Sequence, residues 1–374
     1  MRVLVVVGPG VVADLALLRE IVEPEFRVLG VAGQLAPAAD PDRLRELLTG
    51  AGREGPSAVV ALPGPEPAAR RLTREPGPHA ARTVWYDLAR TGPLAVAPGS
   101  AHLSGRGVAG LVWAVRHAVH RVRHPPRRIG YGDDPDQWAE LRMPDRAPGP
   151  APVPVPVAVL VHGGFWRSIW GADLLDALAI DLARRGFAAW NLEYRRPDQH
   201  GWAATTADLA GGLAALATVA GDGAPLDLDR VAVIGHSAGG QLALRVAADT
   251  GRVALAVSLA GVLDLVEAER RWIGTGAVAA ALGGTAAELP ETYRGADPLA
   301  RLPLGVPQLV VQGRDDDLDL IDLNRRYARA ARAAGDEVTH LEQPGDHFAV
   351  IDPGSEIWHA TATAITSRLV PDQR

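Results

Sequence analysis

The chain has 374 residues, 47% of them hydrophobic, with a formal charge of −6 at pH 7 and a pI near 6.0. That fits a soluble globular protein of two domains, and the acidic balance offers no footprint for nucleic acid, so the expected partner is a small molecule. There is no cysteine, and all 38 basic residues are arginines, which excludes thiolate nucleophiles, disulfides, cysteine-bound zinc, lysine Schiff bases and lysine-bearing phosphate loops.

The opening MRVLVVVGPG holds an apolar run too short for a signal peptide or a membrane span; it predicts a first strand, a cytoplasmic address and no membrane contact. Up to about residue 122, strands are expected at Arg2 to Val7, Phe26 to Val31, Ala58 to Leu62, Thr83 to Tyr86 and Leu94 to Ala97. Helical spacing marks Ala13 to Ile21, Pro41 to Leu48 and Val108 to Val122. The alternation predicts a small parallel α/β domain over residues 1–124, and the paired Pro125 and Pro126 mark its end.

A larger α/β pattern occupies 125–374. Val157 to Val161, Ala188 to Leu192, Val231 to Ile234, Val253 to Leu259, Gln308 to Val311 and Glu337 to Leu341 read as strands with both faces covered. Helices are expected at Asp173 to Arg185, Thr205 to Ala220, Gly240 to Asp249 and Leu320 to Ala334. The proline-rich stretch 144–157 reads as a loop inside this domain, because RIGYGDDPDQWAELRMP before it looks like the domain's opening strand and turn.

Within this pattern VAVIGHSAGG, 231–240, places Gly235-His236-Ser237-Ala238-Gly239 between a buried strand and a helix. That is the context of a nucleophile elbow, where glycines two residues either side let the chain turn sharply and expose the serine hydroxyl. Serine needs a base, and the base an orienting acid, in the chain order serine, acid, histidine. His347, in EQPGDHFAVIDP, stands in a turn after the last predicted strand, whereas His340 falls in a strand and His359 in the terminal helix. AVLVHGGFWR, 158–167, sets His162-Gly163-Gly164-Phe165 after a strand, as an HGGG-type oxyanion loop does, and the N–H of Ala238 is expected to complete the hole.

The acid belongs in VQGRDDDLDLID, 311–322, which packs five aspartates into one short stretch. Asp315, Asp317 and Asp319 match the first ligands of a calcium loop, but Leu320 stands where that loop needs glycine and Arg326 where it needs glutamate, so calcium is set aside. His117, His120 and His124 have ligand spacing on one helix face, yet arginines surround them and no carboxylate joins them. GPGVVA at 8–13 is too poor in glycine for a dinucleotide fingerprint. No metal and no cofactor are expected.

GHSAGGQLAL and HGGFWR, with YGDDPDQWAELRMP, NLEYRRP, SLAGVLDL, GGTAAELPETYRGADPL and DHFAVIDP, make residues 127–370 resemble the α/β-hydrolases, in particular the branch of carboxylesterases and kynurenine-formamidase-like enzymes. The resemblance implies ester or amide hydrolysis through an acyl-enzyme on Ser237, with His347 as base. Its pattern puts the acid three residues after the strand-ending glycine, at Asp316, and leaves Glu193, Tyr194 and Arg195 structural. Trp166, Trp170, Trp202, Trp272 and Phe348 are candidates for an apolar or aromatic pocket, with core packing as the alternative.

MRVLVVVGPG and SGRGVAGLVWAVRHAV more faintly resemble the opening and close of type II dehydroquinases, a flavodoxin-like family that assembles as dodecamers. Gly10 stands where that family has asparagine, and Trp85 and Asp87 where it has glutamate and histidine. The resemblance therefore implies a flavodoxin-like domain without catalysis of its own, used for assembly or for shaping the neighbouring site, and hence a homo-oligomer. The whole reads as a serine hydrolase of small esters or aryl formamides. Acyl transfer within a biosynthetic pathway and a catalytically silent scaffold are the alternatives.

Overall fold

The computed structural model describes residues 1–51, 57–145 and 153–370. It divides into two compact units, Met1–Pro125 and Pro126–Arg374. Part of the proline-rich stretch, 146–152, lies outside the described residues.

The first unit holds strands β1 (Arg2–Val7), β2 (Ala32–Pro37), β3 (Ser57–Leu62), β4 (Thr83–Asp87) and β5 (Ala101–Ser104) and helices α1 (Leu15–Val28), α2 (Pro41–Gly50), α3 (Pro67–Arg71) and α4 (Leu111–Arg123). Its sheet is parallel throughout, in the order β2-β1-β3-β4-β5, the doubly wound order of flavodoxin-like folds. Alternation along β1 explains the layering. Val3, Val5 and Val7 pack with Leu18 and Val22 of α1 and Leu111 and Val115 of α4, while Val6 turns to Leu44 and Leu48 of α2.

Two expected strands of this unit are corrected. Phe26 to Val31 is not a strand, because α1 runs through Pro24 to Val28 and the true strand is the exposed AGQLAP of β2. Proline inside a helix forfeits its own donor, whereas an edge strand without β-branched residues carries little pattern to read. Leu94 to Ala97 is not a strand either. Its Ala97 N–H donates to Thr73 O at 2.8 Å, and the strand forms later, as β5.

The second unit adds β6 (Arg127–Gly130), β7 (Trp138–Arg142), β8 (Val155–Val161), β9 (Ala188–Leu192), β10 (Leu226–His236), β11 (Leu255–Leu259), β12 (Gln308–Gly313) and β13 (Val338–Gln343). Between and after them lie α5 (Asp176–Arg184), α6 (Pro197–His200), α7 (Trp202–Gly221), α8 (Ala238–Thr250), α9 (Leu265–Arg270), α10 (Ala277–Leu282), α11 (Pro290–Ala296), α12 (Leu318–Ala333) and α13 (Glu356–Leu369). The sheet order is β13-β12-β11-β10-β8-β9-β7-β6. The β6–β7 and β7–β9 pairs are antiparallel and the rest parallel.

The central strands are buried end to end, because α7 and α8 pack on the sheet with one set of their side chains while α5 and α13 contact it with theirs. By length and composition α7 would pass for a membrane span. Yet it carries the buried Asp208, ion-paired with Arg195 at 2.8 Å, and its Leu209 and Leu216 join the core. Sheet and helices together bring the carboxyl ends of β8, β10 and β12 to one edge.

Candidate active site

Ser237 stands between the last residue of β10 and the first of α8, with φ 56° and ψ −121°. A left-handed serine is strained, and the two flanking glycines show what holds it. A Cβ on Gly235 would fall 1.9 Å from Gly239 O, and one on Gly239 would fall 2.1 Å from Val161 O. No side chain fits at either position, so strand, turn and helix close up around the serine.

The acid and base meet as expected. His347 Nδ1 donates to Asp316 Oδ2 at 2.9 Å, and the carboxylate also accepts from Gln312 Nε2 at 2.9 Å and from Asp317 N at 2.7 Å. Burial alone pushes Asp316 up, but the hydrogen bond and charge of His347, with Gln312 and the Asp317 N–H, outweigh it and leave the carboxyl below its ordinary range. The Asp316 carboxylate therefore stays ionised and holds the His347 ring by Nδ1.

The neighbouring aspartates have other work. Asp317 caps α12 through Asp319 N at 2.8 Å. Asp315 does not simply face solvent: its N–H donates to Gly345 O at 3.0 Å and its carboxylate accepts Gly345 N at 2.9 Å, which pins the turn that carries His347.

Histidine and serine are brought together through His236. His236 Nε2 donates to His347 O at 3.0 Å, and the two rings lie 4.8 Å apart. The Ser237 hydroxyl makes no hydrogen bond among the described contacts, which is common in ligand-free enzymes, where catalytic bonds tighten on substrate binding.

The loop after β8 supplies the oxyanion donors. A Cβ on Gly163 would lie 2.9 Å from Ser237 Cβ, so this loop rests on the elbow. Gly164, Phe165 and Trp166 have φ of 108°, 53° and 55°, three successive left-handed residues of a kind that persists only where surrounding structure imposes it. Among the described hydrogen bonds, the N–H groups of Gly163, Gly164 and Phe165 donate to no protein acceptor. Ala238, as the first residue of α8, has no intrahelical acceptor for its own N–H. Gly163 is buried while Gly164 and Phe165 are half-buried, and together their free donors suit an oxygen that becomes negative.

The aromatic candidates separate. Trp166 is 2% exposed and its Nε1 donates to Gln241 Oε1 at 3.1 Å, so it belongs to the core and offers no wall to a substrate. Trp170 packs on Gly164, where a Cβ would lie 2.3 Å from its ring, and Trp202 is half-buried against the core at the start of α7. Phe348 is 46% exposed with its ring 5.6 Å from that of His347, and Trp272 is 66% exposed.

A buried charged support lies beneath the loop, built on Glu193 and Tyr194, which the resemblance leaves structural, and on Arg196, which the sequence reading did not single out. Glu193, Tyr194 and Arg196 follow β9 and are buried. Glu193 Oε1 lies 3.1 Å from His162 Nε2, its Oε2 accepts Ala172 N at 2.9 Å, and Arg196 pairs with the same carboxylate. The signal was present in NLEYRRP, where charged residues follow directly on a buried strand. As for metals, Asp134, Asp136 and His200 present ligand atoms within 4.8 Å of one another, but Arg196 already sits 2.8 Å from Asp136.

Comparison with known proteins bears on the fold of the second unit. Residues 146–322 match the family model BD-FAE, and none of the curated proteins matches. Among solved structures, a bacterial heroin esterase is 26% identical over 65% of this chain and 84% of its own, with a TM-score of 0.53. Esterase B from Lactobacillus Rhamnosis is 18% identical over 64% of this chain and 85% of its own, at 0.54. Thermogutta terrifontis esterase 2, in a form phosphoramylated by tabun, is 18% identical over 67% of this chain and 98% of its own, at 0.53. The second unit has the α/β-hydrolase fold seen in these esterases.

Proposed function

We propose that the protein is a serine hydrolase that cleaves small carboxylic esters through an acyl-enzyme. The single observation that carries this reading is the convergence, at one sheet edge, of the strained Ser237, the Asp316–His347 hydrogen bond and the unpaired N–H groups of Gly164 and Phe165. The esterases it resembles in fold, one of them modified by tabun and another bound by a phosphonate, support it.

In this reading His347 Nε2 takes the Ser237 proton as Oγ attacks the ester carbonyl. The C–O double bond becomes a single bond to an oxyanion, which the N–H groups of Gly164, Phe165 and Ala238 receive. Collapse expels the alcohol, protonated by His347, and leaves an ester on Ser237. Water, deprotonated by the same imidazole, then attacks that ester and releases the acid. Asp316 holds the ring and stays ionised throughout. Hydrolysis of p-nitrophenyl acetate by wild type and Ser237→Ala tests the reading, which fails if the variant keeps wild-type kcat.

Preference for an aryl formamide over an ester is the finer question, and assay of N-formylkynurenine beside short aryl esters decides it. The proposal extends to a cytoplasmic homo-oligomer in which the first unit serves assembly. That unit has the doubly wound strand order of flavodoxin-like folds.

A further inference from the structure

Helix α9 ends in a turn that suits glycine and holds tryptophan. Trp272 N donates to Glu269 O at 2.9 Å and Ile273 N to Ala268 O at 3.0 Å, the paired bonds of a Schellman ending with Trp272 at its left-handed position. Its φ is 55°, which glycine adopts without cost and a bulky side chain adopts only under strain. Gly274, Thr275 and Gly276 follow with φ of 62°, 56° and 77°, so most of the turn is left-handed.

Strain of this kind persists only where surrounding structure imposes it, and it gathers at functional sites. Burial is the ordinary reason for an apolar side chain, and Ile273 shows it, half-buried and packed against the core. Trp272 does not. It is 66% exposed, with its six-membered ring lying against Gly276, where a Cβ would come within 2.8 Å. Folding therefore gains little from an indole at a position where glycine would relieve the backbone.

The turn is anchored on two sides to the active site. On one side Arg271 pairs with Asp319 at 2.9 Å and Asp322 at 2.7 Å, both on α12, which begins two residues after Asp316, and with Glu267 of α9 at 3.0 Å. On the other side Arg167 Nη2 donates to Gly274 O at 2.9 Å, and the Phe165 ring presses on Gly274, where a Cβ would fall 2.4 Å from it. Phe165 also supplies one of the loop N–H groups that face the oxyanion in the mechanism above. The turn thus runs between the helix that follows the acid and the loop of donors, and there it holds Trp272 in solvent.

We propose that Trp272 is a substrate-binding residue of this hydrolase, an indole platform for the aromatic ring of an aryl ester, and that residues 271–276 form the specificity loop that presents it. The inference rests on the hydrolase reading and names its substrate class. An indole face is flat, apolar and negative at its centre, so it takes another ring offset or edge-on, with centroids about 4.5–7 Å apart. Phe348, 46% exposed with its ring 5.6 Å from that of His347, adds a second ring beside the base. The three carboxylates on Arg271 fix the turn before substrate arrives, which spares binding the cost of ordering it. Arg167 and Arg271 are positioning residues, since they hold the loop without meeting substrate.

Three measurements on the full chain test this. The first needs no activity: Trp272→Gly is expected to keep or raise Tm, because glycine is the residue the left-handed position favours. A lower Tm, or failure to fold, would make the indole a structural residue and overturn the proposal.

The second is binding to Ser237→Ala labelled with nitrogen-15 at tryptophan. The Trp272 indole signal, assigned by its loss when Trp272→Phe is added, is expected to shift saturably with phenyl acetate or methyl benzoate, which carry the ring on opposite sides of the ester bond, and not with ethyl acetate. A signal unmoved by both aryl esters, or moved equally by ethyl acetate, overturns the proposal whether or not the wild-type protein hydrolyses esters.

The third is steady-state kinetics on the same three esters. Trp272→Gly is expected to lose about tenfold in kcat/KM on the aryl ester that moves the indole, through KM, and to stay within about twofold of wild type on ethyl acetate. Trp272→Phe, which restores an aromatic face, is expected to recover most of the loss. Equal losses on aryl and alkyl esters, or no loss on either, contradict a specificity role. If the wild type hydrolyses none of the three, the hydrolase reading is what fails, and the indole shift still decides whether Trp272 binds the ring.

Discussion

His236 donates from Nε2 to the main-chain oxygen of His347 at 3.0 Å, so the residue before the nucleophile grips the loop that carries the base. The other ring nitrogen of His236 is buried with no partner, and burial, with the charge of His347, pushes the group down to about 3. It is a neutral strut between elbow and base loop.

This strut has a pH signature. The unfolded chain binds a proton on His236 below about pH 6.5 and the folded chain does not until about pH 3. Within that window the unfolded state holds one more proton, so stability falls as pH drops, by up to about 1.4 kcal/mol per unit, and above the window this group contributes no slope. Urea unfolding between pH 7 and 4 is expected to show a shallower decline for His236→Gln than for wild type. Parallel declines would contradict a buried neutral ring.

The aspartate run is expected to rank by geometry. Asp316→Asn removes the charge that orients His347 and is expected to lower kcat about 10⁴-fold, as for other triads. Asp317→Asn alters a helix cap and Asp315→Asn a turn contact, and each is expected to cost less than about tenfold. Steady-state kinetics on one ester gives the order, and a larger loss at Asp315 than at Asp316 would relocate the acid.

The elbow glycines admit no methyl group. Gly239→Ala would drive a Cβ to 2.1 Å from Val161 O, which neither backbone can relieve without separating α8 from β8. Overpacking of this kind costs about 1–3 kcal/mol or more. A lowered Tm or insoluble expression is expected, while a folded variant with wild-type Tm would mean the elbow is looser than this geometry.

Phe348 is the exposed aromatic beside the base. Its removal is expected to raise KM for aryl and long-chain esters several-fold while leaving kcat within about threefold, because it contacts ground state and transition state alike. A selective loss of kcat would assign it instead to holding His347.

Much of this was legible in the sequence because glycine and serine at fixed spacing, between a buried strand and a helix, permit few backbone paths. Ser237, His347, Asp316 and the HGGF segment each follow a strand end, and strand ends of continuous apolar runs are easy to read. The Phe26 to Val31 segment misled because apolar runs near a proline look alike as helix end or strand. Trp166 misled because adjacency to a motif says nothing of which way an indole points, and its left-handed backbone turns it into the core. Glu193 was read as structural without its partner, and Arg196 was passed over, because His162 and Asp136 are distant in sequence and adjacent only in the fold.

The central claim is that Ser237 is an activated nucleophile. Incubation of the full chain with a fluorophosphonate, followed by intact mass and peptide mapping, tests it most directly. The account predicts one adduct per chain, on Ser237, with ester hydrolysis lost in step with labelling and no adduct on Ser237→Ala. An adduct on another residue, or hydrolysis that survives full labelling of Ser237, would contradict it.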